Sequence, residues 1–292
     1  MATTAITADM VKKLREQTGV GMMECKAALT EANGDFEEAN TILRKRGLAT
    51  AAKKAGRAMS EGLIGNRLSP DHSSGILAEV DCESDFVART PDFQKLVQDV
   101  LTEVEKAGDA ATEAWLKDPN GPVAKFVASG IAKLGENMGV PRVVRYAGQG
   151  TVGQYIHLGG KLGVQVEFGG VTPAIASREE FVSFVKEIAM QIAAASPAYA
   201  SREAVPADLL EKEKSIYRAQ MENSGKPANV LEKIIEGKLG SFYAQFVLPD
   251  QPSIRDPKMT VKDVVAAANE TLGASVTVTR FARLKVGEAF HG

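Results

Sequence analysis

The apolar positions of residues 1–54 recur at helical spacing and predict three short helices. The second helix is expected over Met22 to Thr30. Asp35 stands where it would cap the third helix, and Glu38 three residues later completes an Asp-x-x-Glu box. The three helices predict a compact bundle. The basic stretch from Arg44 to Arg57 is expected to be a helical or a flexible linker.

The most informative pattern is an internal repeat with an offset of 88 residues. Gly75 to Val80 matches Gly163 to Phe168, and the apolar residues Phe93 to Val100 match Phe181 to Ile188. In each copy the apolar period changes from 2 to 3.6, which predicts a β-hairpin followed by an amphipathic helix. Two such copies predict an α+β core of two related subdomains, each with a helix packed on an antiparallel sheet.

The rest of the chain supplies connecting elements. A helix over Val123 to Leu134 and a strand over Arg142 to Tyr146 are expected between the copies, and a strand over Ser275 to Leu284 near the end. Two charged helices around Asn223-Ser224-Gly225, with Pro227 in the first turn of the second, predict an antiparallel hairpin arm. The arm is either a solvated projection or a surface for self-association or partner contact. The predicted division is a bundle at 1–54, one core subdomain at 55–148, a second at 149–200 with 240–288, and the arm at 201–239.

The two copies differ between strand and helix. The first has Ser84-Asp85-Phe86-Val87, where the second has Thr172-Pro173-Ala174-Ile175. The hairpins and helices are expected to match and this loop is not. Two interpretations of Phe86 stay open on chemistry alone: it packs under its own helix, or it protrudes as a wedge that buries ~150–250 Å² in a partner.

Composition narrows the class of partner and compartment. The 292 residues carry 35 basic and 37 acidic side chains, a net charge of −2, so we expect neither nucleic-acid nor membrane binding. The two cysteines cannot form a disulfide framework, which favours a reducing compartment. With no export signal at the amino terminus, we expect a cytoplasmic protein.

Other motifs carry little chemistry. Residues 148–153 spell G-x-G-x-x-G, but a strand pattern follows them and the repeat maps two of these glycines onto hairpin positions, so a dinucleotide site is disfavoured. The histidines and cysteines lack metal-ligand spacing, and we expect no cofactor and no metal. Cys82 is more easily explained as a small packed residue than as a nucleophile. Because Met22 and Met23 are adjacent, one of them is expected to face a partner.

Several segments, in order along nearly the whole chain, resemble the elongation factor Ts family, and the amino-terminal segment also resembles ubiquitin-associated domains. The segments are Leu14 to Leu29, Leu77 to Arg89, Leu134 to Asn137, Tyr155 to His157 and Ser224 to Pro227. One departure is that Ser84 stands where the family has threonine.

The resemblance implies a guanine-nucleotide exchange factor that acts without covalent chemistry. Its partner would be elongation factor Tu, GDP-bound and nucleotide-free. The resemblance assigns a loop that displaces the partner's Mg²⁺ to Ser84, Asp85, Phe86 and Val87, and further contacts with the G protein to Arg15, Met22, Met23, Leu134, Gly135 and His157.

Alternative functions belong to other classes. A hydrolase or transferase would use Glu83, Asp85 and His157. An adaptor would bind through the amino-terminal bundle without accelerating nucleotide release. His157 on its own is more often a surface histidine than a functional one. A homodimer through the core or the arm is a further expectation.

Overall fold

The computed structural model describes residues 5–221 and 228–288. At the amino terminus, helices α1 (Ala8–Thr18), α2 (Met22–Glu31) and α3 (Phe36–Lys54) enclose a small apolar core of their own. The Glu38 N–H donates to Asp35 Oδ1 at 2.8 Å, so Asp35 caps α3 as expected. Helix α3 continues to Lys54, so most of the basic stretch is helical. Its contacts with the core explain why this end does not fray.

The remaining elements form two sheets, the helices that cover them and a helical arm. In chain order they are β1 (Glu61–Leu68), β2 (Ser74–Cys82), α4 (Asp85–Ala88), α5 (Pro91–Ala107), α6 (Glu113–Leu116), α7 (Pro122–Leu134), β3 (Met138–Ala147), β4 (Thr151–Ile156), β5 (Leu162–Gly169), α8 (Pro173–Ala176), α9 (Glu179–Ala195), α10 (Ala207–Met221), α11 (Ala228–Phe246), α12 (Val261–Leu272) and β6 (Thr277–Lys285).

The two sheets share one topology. The first has the order β1-β2-β3 and the second β4-β5-β6, with every neighbouring pair antiparallel. Each central strand has a register shift where it meets the third strand, beginning at Glu79 in β2 and at Glu167 in β5. These positions are one repeat apart. The predicted α+β class with small antiparallel sheets is therefore confirmed, and the third strand completes each predicted hairpin.

Each central strand is buried on both faces. In β2, Ile76, Ala78 and Val80 point toward α5, while Leu77 points toward the second sheet. This double burial follows from the layer order, in which α5 covers one sheet, α9 covers the other and the sheets meet between them. A Cβ at Gly75 would lie 2.7 Å from Val152 Cγ1, so the sheets approach too closely for a side chain there.

The glycine-rich stretch 148–153 belongs to this sheet architecture. Strand β4 begins at Thr151, directly after Gly150, so no helix follows the glycines. A phosphate-binding loop of the dinucleotide type needs a helix amino terminus at that point. The stretch therefore serves as the entry to a strand, as the repeat indicates.

Strand β3 and helix α11 run further than predicted, whereas β6 covers Thr277–Lys285 and starts two residues later than predicted. Strand β3 begins at Met138 and includes Pro141, which an edge strand tolerates because its N–H side needs no partner. Helices α10 and α11 pack against each other, and α11 continues past residue 239 to Phe246. Phe242, in this continuation, is buried. The predicted turn residues Asn223 to Gly225 and Pro227 lie outside the described residues. Among the described residues, no helix has the length and apolar character needed to cross a membrane.

The close packing of helix on sheet yields a stability prediction. A Cβ at Gly153 would lie 2.2 Å from Cγ1 of Val185 on α9, so Gly153→Ala forces α9 off the sheet. We expect the free energy of unfolding to fall by ~1–3 kcal/mol, the usual cost of overpacking. Urea denaturation followed by circular dichroism measures it.

The matched control is Gly237→Ala in α11, where nothing lies within 4 Å of the added Cβ. Because alanine is the better helix former, this variant should be more stable by ~0.5–1 kcal/mol. Equal effects of the two substitutions would contradict the packing argument.

Candidate functional site

The candidate site is built around a single turn of helix at the end of β2. Ser84 is the N-cap of α4, and the Val87 N–H donates to its Oγ at 3.4 Å. Arg89 donates to the Asp85 carboxylate at 2.8 Å, four residues apart along the same turn. Asp85 also stands in the first turn, where a carboxylate is favoured. The N-cap and the ion pair therefore favour this turn locally.

Phe86 projects from the turn into solvent. Its side chain is 80% exposed, whereas Val87 packs against the apolar core between the first sheet and α5, and Ala88 is buried. The interpretation in which Phe86 packs under its own helix is therefore wrong. The turn puts Val87 and Ala88 on its inner side, and Phe86 falls on the opposite side. An exposed phenylalanine next to an engaged carboxylate has the form of an anchor for a partner.

The second copy has the same backbone at this point, contrary to the sequence expectation. Helix α8 lies one repeat after α4, and Thr172 caps it by accepting from the Ile175 N–H at 3.4 Å. Serine and threonine are both good N-caps, so both copies begin a turn there. What differs is the side chain at the outer position, Phe86 in one copy and Ala174 in the other.

A second segment holds the Phe86 turn. The Ser84 N–H donates to Glu136 Oε2 at 2.9 Å, and the Ser84 hydroxyl donates to Glu136 Oε1 at 2.6 Å. The Asn137 N–H in turn donates to Glu83 Oε1 at 2.6 Å. These bonds join residues 52 and 54 positions apart. The sequence analysis did not identify Glu136 as a site residue, and it named Glu83 only for the hydrolase or transferase alternative.

The same bonds bring Leu134 and Gly135 beside the turn. Gly135 ends α7 in the left-handed conformation, with φ 78°, and is exposed. Its carbonyl accepts from Lys54 Nζ at the end of α3. Leu134 is half-buried and packs against the apolar core between the first sheet and α5, so its exposed part faces outward next to Gly135. The structure thus groups 84–87 with 134–135.

The amino-terminal candidates lie on the bundle, which contacts the end of α7. Arg15 is exposed, and Met22 and Met23 are 40% and 77% exposed, so both methionines face outward and not one. They start α2, after the loop that holds Gly19. The Lys133 side chain fills the space beside Gly19 and its Nζ donates to Asp92 at 2.7 Å. The end of α7 therefore contacts the bundle on one side, and its following residues contact the Phe86 turn on the other.

His157 occupies the turn between β4 and β5. It is exposed, and its Nδ1 lies 2.9 Å from the Tyr155 hydroxyl. The Ile64 N–H of β1 donates to the Gly160 carbonyl at 2.7 Å, and α4 also contacts β1. This hairpin turn therefore lies along the strand that α4 touches.

The sequence analysis missed Leu158, next to His157. It is 92% exposed at the tip of the hairpin. The signal was present, because an apolar residue before Gly159-Gly160 in a tight turn has no core to enter.

Several ionisable groups close to the turn have shifted pKa values, and the causes of the shifts indicate which groups are structural. Burial and the nearby Glu136 carboxylate raise the pKa of the Cys82 thiol to about 12, so Cys82 is a packed and unreactive residue. The Asn137 N–H and Arg57 lower the pKa of Glu83. Burial and the neighbouring Glu79 raise the pKa of Asp81 to about 7, against the opposing effect of Arg142.

The hydrolase or transferase alternative loses support from these contacts. Glu83 is bonded to Asn137 and Arg57, Asp85 is paired with Arg89, and His157 is bonded to Tyr155. Nucleophilic and acid–base sites need their groups within hydrogen-bond reach of one another. Among the described residues, no hydrogen bond joins His157 to Glu83 or Asp85, and each of the three groups bonds to other residues instead.

An outward aromatic on a turn that another segment holds is typical of a protein that works by binding another macromolecule. Comparison with known proteins gives the class a family. The family model described as elongation factor TS matches residues 83–288. The chain is 43% identical to "Elongation factor Ts" of Trichlorobacter lovleyi, over 98% of this chain and 94% of the relative.

Two further relatives agree. The chain is 40% identical to "Elongation factor Ts" of Aquifex aeolicus, over 97% of this chain and 98% of the relative. It is 40% identical to that of Clostridium acetobutylicum, over 98% and 94%. The chain belongs to the elongation factor Ts family, and the resemblance inferred from its motifs is confirmed.

The buried Asp81 yields a pH prediction. Its folded-state pKa of about 7 exceeds the ordinary value, so between pH ~4 and pH 7 the folded protein retains a proton that the unfolded chain has lost. The contribution of Asp81 to stability is therefore largest at low pH and declines as the pH rises to 7. Asp81→Asn should lack this decline, so the variant gains on the wild type between pH 4 and pH 8.

Urea denaturation at a series of pH values measures this difference. The control is Asp71→Asn, because hydrogen bonds from Ser69 and Ser73 lower the pKa of the Asp71 carboxyl to about 2. Asp71 stays ionised throughout that range, so its variant should differ from wild type by a constant amount. Parallel curves for wild type and Asp81→Asn would contradict the assignment.

Proposed function

We propose that this protein is a guanine-nucleotide exchange factor that binds elongation factor Tu in its GDP-bound state and releases GDP during translation elongation in the cytoplasm. Family membership supports the partner. The observation that carries the proposal is the 80% exposed Phe86 on a turn fixed from outside. Nothing in this function requires covalent chemistry, a cofactor or a resident metal.

The mechanism is displacement of the partner's Mg²⁺. Phe86 enters a pocket of the G domain near the metal, and Asp85 and Val87 keep the turn in shape. The metal is the largest local positive charge on the diphosphate, so its loss weakens GDP binding. Burying the exposed face of Phe86 supplies binding energy in the complex that is absent in the free protein.

The other candidates extend this contact. Leu134 and Gly135 touch the G domain beside the wedge, and His157 enters a second pocket and disturbs the phosphate loop. The bundle of α1–α3 acts as a ubiquitin-associated-like module that touches the G domain through Arg15, Met22 and Met23. The contacts through Glu136 and Lys133 support this grouping for the residues around 134–135 and the bundle, and the bond from the Ile64 N–H to the Gly160 carbonyl supports it for the hairpin of His157.

The remaining parts have proposed roles of their own. We propose that the chain divides into a bundle at 1–54, core subdomains at 55–148 and at 149–200 with 240–288, and an arm at 201–239. The arm of α10 and α11 or the core serves as a surface for a homodimer. Net charge of −2 supports a protein partner in preference to nucleic acid or membrane.

Linkage sets the energetic requirement. An exchange factor must bind the nucleotide-free partner more tightly than the GDP-bound partner, and GDP must weaken the factor's binding by the same ratio. Each tenfold acceleration of release lowers the barrier by ~1.4 kcal/mol. A few buried anchor residues can supply several such steps.

The test is release of fluorescent GDP from elongation factor Tu after mixing with excess GTP. We expect the wild-type chain to accelerate release and Phe86→Ala to reduce that acceleration at least tenfold, because the anchor is removed. The control is Val182→Ala, which truncates an exposed apolar side chain on α9 and should behave as wild type.

The outcomes separate the parts of the proposal. If the wild-type chain binds elongation factor Tu without faster release, the adaptor is correct and the exchange function is wrong. Full acceleration by Phe86→Ala would leave the exchange function standing and remove the wedge.

A further inference from the structure

We infer that Glu136 is the positioning residue of the Phe86 turn: its carboxylate holds Ser84 at two points and so fixes the direction in which Phe86 projects. The inference rests on the proposed exchange function for its activity readout. Its structural readout is independent of that function.

A four-residue helix cannot hold its own shape. Helix formation has a costly nucleus, because the first hydrogen bond fixes several backbone dihedrals at once. Within α4, the distance from the Val87 N to Ser84 Oγ is 3.4 Å, and the distance from the Ala88 N to the Ser84 carbonyl oxygen is 3.3 Å. These are long bonds, so the turn depends on what holds Ser84.

Glu136 supplies that hold. Its two oxygens accept from the Ser84 N–H at 2.9 Å and from the Ser84 hydroxyl at 2.6 Å. Hydrogen bonds to an ionised carboxylate are about twice as strong as neutral ones. Because the hydroxyl proton is directed to Glu136, the Oγ lone pairs face the Val87 N–H. The carboxylate thus orients the N-cap as well as anchoring it.

The rest of Ser84 is engaged too. Cys82 Sγ donates to the Ser84 carbonyl at 3.2 Å. Glu83, one residue earlier, accepts from the Asn137 N–H at 2.6 Å. The segment after α7 therefore runs beside the segment before α4 and bonds to it at both 83 and 84. Glu136 makes two of these bonds, and Phe86 lies two residues farther on.

The second copy serves as an internal comparison. Thr172 caps α8 in the same way, yet among residues 5–221 and 228–288 no carboxylate bonds to the Thr172 N–H or hydroxyl. That turn carries Ala174 at the outer position, where there is no large side chain to direct. The braced copy is the one that projects an aromatic, and it also has the longer closing bond: the Ala88 N–H lies 3.3 Å from the Ser84 carbonyl, whereas the Ala176 N–H lies 2.9 Å from the Thr172 carbonyl. We therefore assign the brace to holding the turn that directs Phe86.

The experiment is a double-mutant cycle on release of fluorescent GDP from elongation factor Tu. Glu136→Ala should reduce the acceleration at least tenfold in the wild-type background. In the Phe86→Ala background it should change the acceleration less than twofold, because the side chain that it positions is gone. The control is Val182→Ala on α9, which lies outside the candidate site and should retain the acceleration in both backgrounds.

Hydrogen exchange in the free protein gives a readout that needs no partner. Glu136→Ala should increase exchange at the amides of Ser84 to Ala88 and leave α5 as protected as in wild type. If α5 loses protection as well, the glutamate supports the whole subdomain and the inference is wrong. Glu136→Gln keeps the shape and one acceptor, so an intermediate effect is expected, and it replaces the alanine variant if that fails to fold.

The remaining outcomes are decisive in different ways. Wild-type acceleration by Glu136→Ala would overturn the inference and leave the exchange function intact. Equal losses from Glu136→Ala with and without Phe86 would also overturn it, because the glutamate would then act independently of the aromatic. If the wild-type chain does not accelerate release, the exchange function fails, and hydrogen exchange alone decides whether Glu136 holds the turn.

Discussion

At the bend of each central strand, a buried glutamate pairs with an arginine of the third strand, and these two pairs tie the halves of the core together. Glu79 of β2 pairs with Arg142 of β3, and one repeat later Glu167 of β5 pairs with Arg280 of β6, with Nε to Oε2 at 2.8 Å. Each pair also reaches the other sheet. The Gly287 N–H donates to Glu79, and the Arg280 guanidinium stacks 4.1 Å from the centre of the Tyr146 ring.

Buried charges of this kind constrain the fold more than they stabilise it. Removing the arginine leaves the buried glutamate carboxylate without its partner in a low-dielectric interior, whereas an intact pair roughly offsets its own desolvation. The register of each third strand is therefore fixed, because a slip would separate Arg142 from Glu79. Since the contacts beyond each pair cross between sheets, the same charges also fix how the sheets face each other. The two halves pack much as two copies do in a symmetric dimer.

Local sequence patterns predicted most of the fold but fewer of the contacts that build the site. The repeat predicted both sheets, because each copy changes period within a short window. The matching backbone of α4 and α8 was not predicted because their residue types differ, although Ser84 and Thr172 are both suitable N-caps. The Glu136 brace spans 52 residues, and no local pattern encodes such a contact. The exposure of Phe86 depended on which side of the turn met the core, which its neighbours Val87 and Ala88 decided.

The combination of exposure and rigidity at Phe86 has a thermodynamic logic. A free protein gains nothing from an aromatic held in water, and an exposed ring on a flexible loop would lose conformational freedom on binding. A braced turn has already lost that freedom in the folded chain, so burial of the ring contributes more fully to the complex. The duplicated frame makes this arrangement tolerable: α8 forms the same turn with alanine, which shows that the turn does not need the aromatic in order to fold. One copy of the repeated turn can therefore carry a side chain that contributes binding energy only when a partner buries it.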